Sequence, residues 1–522
     1  MKRGFIAFIM ALSTVILLSP WSGPDAPEAA SPTASATAVA QPQTGGIWKV
    51  LLKSRSNAFG YPPRIVGADK DYAPPFFDHL IRLGDDGKYH PGLALSWDAS
   101  ADGKTLTFKL RQGVTFHDGT PFNAQAVKAN IDNLISPNAR ILSGIASVEA
   151  VDDATVRLNL PSYNNLTLFH FATNPATYMY SAEALKKNGV DWATTHPVGT
   201  GPFMLKDYQP NVSLLLLKNP NYWQKGLPYL DGIEMRVVPD NMTQTITLKA
   251  GQAQAIYNAQ TNAIQLRDEG YPLQMAPGSL MGMNFDTKNS EIFSKRQVRE
   301  AIEYAVDKEA ICKGPGEGLY TPVYQIVPGD SPDYNKACLP RTYDPAKAKK
   351  LLAEAGYPNG FSFKFFILDT TWKDGYVAIQ SYLDKIGIKM EINYLNVSAF
   401  NLIRSGGKIE KGAAAFHAYT QSSNTLFLLD SYWRSDSGTF QHVVKPAGID
   451  KLIDEAKLSR DPAAVTKINR QVIKSIYDDQ TIVPFYIAPR IAVVDKSVQN
   501  TGWFIYGDAD NNEFGTRTWL KK

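Results

Sequence analysis

A single apolar run decides much of what this chain can become. Phe5 to Leu18 is almost wholly apolar and follows the basic pair Lys2-Arg3. That pattern reads as a secretory signal, because a membrane-spanning helix needs about 20 apolar residues. Residues 19–44 are rich in Pro, Ala, Ser and Thr and cannot bury a core. No later run is long enough to span a membrane, so everything beyond Gly45 must pack against itself. The expected mature chain is exported and starts between Gly23 and Gln41, with Ala34-Ser35-Ala36 and Ala38-Val39-Ala40 as small-residue cleavage sites. No Cys follows the apolar run, so a lipid anchor is not expected.

Length and charge narrow the classes further. A chain of 522 residues is too long for one ordinary core. Basic residues number 54 and acidic residues 50, a net charge of +4 that is too slight for a nucleic-acid partner. Tyr and Trp, at 25 and 9, suit a cleft that grips a ligand as well as a core. The two cysteines, Cys312 and Cys338, are expected to form a disulfide in an oxidising compartment. It would close a loop of about 25 residues, worth roughly 3 kcal/mol.

Periods of two and of 3.6 residues alternate along the chain, which predicts a mixed α/β fold. Ile47 to Leu52 reads as a strand. Leu106, Phe108 and Leu110 alternate with polar neighbours as a half-buried strand. Asn123 is placed to cap a helix carrying Val127, Ile131 and Leu134, with Pro137 ending it. A hairpin turns at Asp152-Asp153, and Val212 to Leu217 reads as a buried strand. Ser294 and Gln297 match a capping box, stapled by Phe293 and Val298, ahead of an apolar face through Ile302 and Val306. Asp344-Pro345 and Asp461-Pro462 each set a cap before a proline at the first helical position. There is no internal repeat.

Catalytic and metal sets are missing from the pattern. None of the seven histidines sits in a ligand motif, and no nucleophile elbow or phosphate loop is present. Neither an enzyme, a metal nor a cofactor is expected.

The stretch Leu110-Arg111-Gln112-Gly113-Val114-Thr115-Phe116-His117-Asp118-Gly119-Thr120-Pro121-Phe122-Asn123-Ala124 resembles a signature of the extracellular solute-binding protein family 5. Gly199-Thr200-Gly201-Pro202-Phe203 and Asn219-Pro220-Asn221-Tyr222-Trp223 resemble further blocks. So do Asn284-Phe285-Asp286-Thr287 and Tyr343-Asp344-Pro345-Ala346-Lys347-Ala348. They lie in the family's order, and the likeness covers about residues 45–520.

This resemblance implies an α/β, two-lobed, clam-like periplasmic binding protein. Residues 1–44 would be signal and linker. Lobe one would comprise 45–283 and 487–522, with a subdomain inserted at 80–197; lobe two would comprise 284–486. Joints are expected at Met281–Asn284 and Phe485–Ala488. The implied function is capture of a small solute, a peptide or a peptide-like polar molecule, for the permease of an ABC importer, by a monomer. The implied ligand wall of lobe two is Tyr419, Thr420, Gln421, Ser422 and Ser423, with Trp433 and Arg434 nearby. Lobe one would add Phe59, Tyr61, Asn174, Tyr178, Tyr257 and Asn258. Peptide-binding members carry an acidic residue near the end of this lobe-two wall that pairs with the ligand's ammonium group. Here Gln421-Ser422-Ser423-Asn424-Thr425 has none, and Asp430 and Asp436 are the nearby carboxylates. A buried ammonium without a counter-charge is costly, so the stretch favours a neutral, hydroxyl- or amide-rich solute. A secreted hydrolase and a ligand-sensing partner of a membrane receptor are the competing readings.

Overall fold

A computed structural model describes residues 41–522, except 55, 136–141, 143, 370–371, 406, 408 and 505–512. The expected signal, and Pro137, lie outside the described residues.

One sheet of 11 strands organises the molecule. From one edge it runs Lys389–Leu395, Ser362–Leu368, Ala414–Thr420, Leu273–Phe285 and Val483–Val494. It continues through Ala255–Tyr257, Ile47–Leu52, Gly232–Val237, Ser213–Lys218 and Phe203–Gln209, while Thr321–Pro322 pairs beside Val483–Val494. The two longest strands, Leu273–Phe285 and Val483–Val494, pair antiparallel through its middle. Their register shifts between Pro277 and Ser279 and again between Met281 and Gly282. Gly278 sits in the first shift, where a Cβ would lie 2.3 Å from the Ala488 carbonyl oxygen. Only glycine lets the two backbones approach so closely.

The three largest cores lie on this sheet and beside it. One is built from Met283 to Tyr486 and includes Phe285, Phe293, Phe365 and Tyr376. Another joins Trp48, Phe59, Phe203 and Met235 to Val494, Trp503 and Phe514. The third lies within residues 80–179, around the four-stranded sheet Ala94–Ala99, Thr105–Leu110, Thr155–Asn159 and Ser147–Asp152.

Local signals explain most elements. Asn123 accepts from the Ala126 amide and caps Ala124–Asp132. Asp344 caps Pro345–Glu354, and Asp461 caps Pro462–Asp478. The expected capping box at Ser294 is not formed. Glu291–Ser294 is already a helical turn capped by Ser290, so the Ser294 hydroxyl donates back to the Glu291 carbonyl. Arg296–Tyr304 then starts without a side-chain cap. The Ser213–Lys218 strand is buried only at Leu214 and Leu216, because its other face meets solvent.

Two of the family-like blocks converge on Asp78. Its carboxylate accepts from Thr200 Oγ1 at 2.8 Å, Trp223 Nε1 at 2.9 Å and Tyr222 OH at 3.1 Å. Burial pushes its pKa up to about 6 despite these donors. The His117 amide donates to the Gly199 carbonyl, and Asn219 Nδ2 donates to the Gly201 carbonyl. Side chains on Gly199 or Gly201 would collide with the Phe76 backbone. These motifs are structural: they tie three separated segments into one knot.

The disulfide expected between Cys312 and Cys338 is absent. Both are buried free thiols in different surroundings. Cys312 packs in the Met283–Tyr486 core, while Cys338 lies near the charges of Lys474, Asp478 and Arg341. Burial pushes the Cys312 thiol up to about 12 and the Cys338 thiol up to about 11, which suppresses the thiolate that oxidation needs.

Candidate ligand-binding site

The strand Ala414–Thr420 pairs along its length with Leu273–Phe285. The parallel strand Ser362–Leu368 pairs with it only at Ala414 and Ala415. Ligands of α/β sheets gather at the carboxyl ends of parallel strands, and here that end is Thr420. The chain then bends because the Gln421 amide donates to the Gly278 carbonyl at 2.6 Å. Tyr419 OH donates to the Ile326 carbonyl at 2.7 Å, and Gln421 Nε2 reaches the same oxygen at 3.4 Å. Asn424 caps the next helix by accepting from the Phe427 amide, so the turn Gln421–Asn424 is fixed at both ends.

Two cavities open at this turn. The smaller, about 240 Å³, lies between Pro277, the loop Val327–Pro332 and Gln421, Ser422, Ser423 and Thr425. Asp330 adds a carboxylate to its wall. The larger, about 370 Å³, shares Pro332, Ser423 and Thr425 with it. Its other walls are Leu83, Tyr89, Tyr163 and Phe169 on one side and Asp333, Arg460 and Asn469 on the other. A wider hollow of about 530 Å³ elsewhere is lined by charges that answer one another, Lys364 with Glu410 and Lys389 with Asp384. It contains none of the expected site residues.

A second polar cluster adjoins the register shift. Asp71 pairs with Arg490 at 3.3 Å, and Asn258 Nδ2 donates to Asp71 at 3.2 Å from a left-handed backbone, φ 60°. Tyr257 OH lies 3.4 Å from Arg490. Arg490 pairs with Ala276 across the strands, one residue from the Pro277 that lines the smaller cavity, and no member of this cluster lines that cavity itself.

The structure therefore brings Gln421, Ser422 and Ser423 to a cavity, whereas Tyr257 is buried against Trp503 and Phe504 and Asn258 is bonded to Asp71. The other expected residues lie elsewhere. Thr420 is half-buried at the strand end, and Tyr419 is buried, with its phenol pKa driven upward by desolvation. Trp433 is a core residue, 1% exposed, between His417 and Tyr419. Arg434 is held by Asp454 at 2.5 Å, Asp436 at 2.9 Å and Asp430 at 3.8 Å, and Lys457 also takes Asp430. These pairs commit the carboxylates expected as spare charge. Phe59 packs on Phe76 and Tyr208, and Tyr178 between Phe77 and His79. Tyr61 meets Tyr180 edge-on, and Asn174 caps a short turn through the Ala176 amide. None of these four lines either cavity. Among the described residues no group of His, Cys, Asp or Glu is arranged to hold a metal.

The match to the family model for bacterial extracellular solute-binding proteins, family 5 Middle, spans residues 88–440 and so takes in both the signature block and this turn. The chain belongs to the bacterial extracellular solute-binding proteins, family 5. Glutathione-binding protein GsiB of Salmonella typhi is 31% identical over 454 residues, covering 84% of this chain and 87% of GsiB. GsiB of Escherichia coli O1:K1 / APEC is 32% identical over 457 residues with the same coverage. Among solved structures, the periplasmic binding protein DppA from Helicobacter pylori in complex with the peptide STSA has a TM-score of 0.79 at 23% identity, covering 92% of this chain and 99% of DppA. AgaA from A. tumefacien R10 in complex with agropinic acid has a TM-score of 0.76 at 26% identity, covering 91% and 99%. The fold is thus the two-lobed binding-protein architecture, and the chain is an extracellular solute-binding protein of family 5. Family and relatives are binding proteins rather than enzymes. No described helix is long and apolar enough to cross a membrane.

Proposed function

We propose that this protein carries a peptide or peptide-like polar solute, held at the turn Gln421–Ser423 between residues 45–283 plus 487–522 and residues 284–486. The observation that carries this reading is the pair of cavities sharing Ser423 at the carboxyl end of the Ala414–Thr420 strand. Hydroxyls and amides both donate and accept, which suits the peptide unit. The relatives named for glutathione point to the same class. Closure follows if the solute touches both lobes, since it then favours the closed population. The register shifts at Pro277–Ser279 and Met281–Gly282 are the flexing points, the second inside the joint expected at Met281–Asn284. In this reading the precursor carries a cleaved signal within residues 1–40, the mature protein is a periplasmic monomer, and its partner is an ABC permease.

Calorimetry with glutathione and Ser-Thr-Ser-Ala, together with mass spectrometry of solute released from gently purified protein, tests the class. Ser423 is exposed and lines both cavities, so Ser423→Trp should abolish binding at unchanged melting temperature. Full-affinity binding by that variant would refute the site. The AgaA complex favours one second reading, a non-peptide polar acid, which the released solute would reveal.

A further inference from the structure

The larger cavity holds a carboxylate that the chain itself leaves unanswered. Asp333 lines it and is 8% exposed, yet its Oδ1 has no hydrogen-bond partner. Asn469, on the same wall and 3% exposed, has an unpartnered Oδ1 as well. Both atoms are acceptors, and buried acceptors are almost always paired. No described ion pair involves Asp333. Arg460, the cation on this wall, donates to the Ser100 carbonyl and stacks over Tyr163 at 4.7 Å. Arg470 donates to the carbonyl of Pro332 rather than to the neighbouring carboxylate.

We propose that Asp333, with Asn469 beside it, receives a protonated amine of the captured solute in the 370 Å³ cavity between residues 83–169 and 332–469. An ammonium group matches this wall because it brings three donors and the opposite charge, with no acceptor of its own. Ser423 and Thr425 line both cavities, so a solute seated against Gln421 in the smaller one extends directly towards Asp333. The lack of a carboxylate in Gln421–Thr425 then no longer argues against an amine, because the counter-charge arrives from another loop. The inference rests on the proposed site at this turn.

The test compares Ser-Thr-Ser-Ala and glutathione with their N-acetylated forms by calorimetry, on the wild-type chain and on Asp333→Asn. Acetylation should weaken wild-type binding at least tenfold and make no difference in Asp333→Asn. Equal binding of free and acetylated forms by the wild type, or an acetylation penalty that survives in Asp333→Asn, overturns the proposal. If Asp333→Asn does not fold, Ser423→Arg replaces it: a cation introduced from that exposed position should weaken the amine form more than the acetylated one, and equal weakening counts against. If neither peptide binds, solute released from purified protein is treated with dansyl chloride. A solute without an amine overturns the inference. A non-peptide solute that labels overturns the peptide reading and leaves this one standing.

Discussion

Two buried carboxylates in this molecule meet opposite fates. Glu303 is fully buried, and its charge is answered from inside the chain: Lys308 Nζ at 2.6 Å, Arg341 at 3.5 Å and the Gln480 amide. Lys308 in turn donates to the Val323 carbonyl at 3.0 Å. Asp333 is nearly as buried, lines a cavity, and leaves one oxygen unmet. A carboxylate answered from within locks the segments around residues 303, 341 and 480 together. One left unmet beside an opening adds little to the fold and is kept for something arriving from outside.

Breaking each side should give effects of very different size. Lys308→Met strands Glu303 without its nearest cation and should cost about 3–5 kcal/mol in urea unfolding. His170 gives the next largest effect. It is half-buried against Phe169 and Phe427 near the larger cavity, and desolvation lowers its pKa from 6.5 to about 4. As pH falls, the unfolded chain takes up this proton first, so stability is lost from pH 6.5 down to about 4. The wild type should lose about 1.4 kcal/mol per pH unit more than His170→Gln across that window. An identical pH dependence in the two proteins would show that His170 is protonated without penalty.

Tyr419→Phe removes the donor to the Ile326 carbonyl and should cost about 1 kcal/mol by the same unfolding measurement. Asp333→Asn should change stability least, by under about 1 kcal/mol, because no partner is lost. A loss as large as that of Lys308→Met would mean Asp333 is structural, and the contrast between the two carboxylates would collapse.

Helix starts were legible in the sequence wherever a short polar side chain stood alone before a helix, as Asn123, Asp344 and Asp461 do. Ser294 misled because a helical turn already preceded it. The turn Gln421–Ser423 was reached through resemblance and does line a cavity. Asp330, Asp333 and Asn469 were not found. The first two stand in an irregular loop with no periodicity to mark them, and Asn469 sits on a helix whose caps and apolar face say nothing of what lies opposite. Trp433 and Arg434 show the converse: residue types suited to ligand contact, one consumed by packing and the other by three aspartates. The cysteine pairing was inferred from compartment alone, and both thiols are free and buried.

The strand Val483–Val494 has a consequence for how the molecule is made. Among the described residues it is the only strand that joins Leu273–Phe285 on one side to Ala255–Tyr257 on the other. Before it is synthesised, the two halves of the sheet exist as separate fragments with open edges. The chain must be made as far as Val494 before the two halves can be joined, and this strand acts as the keystone that turns a string of parts into one body.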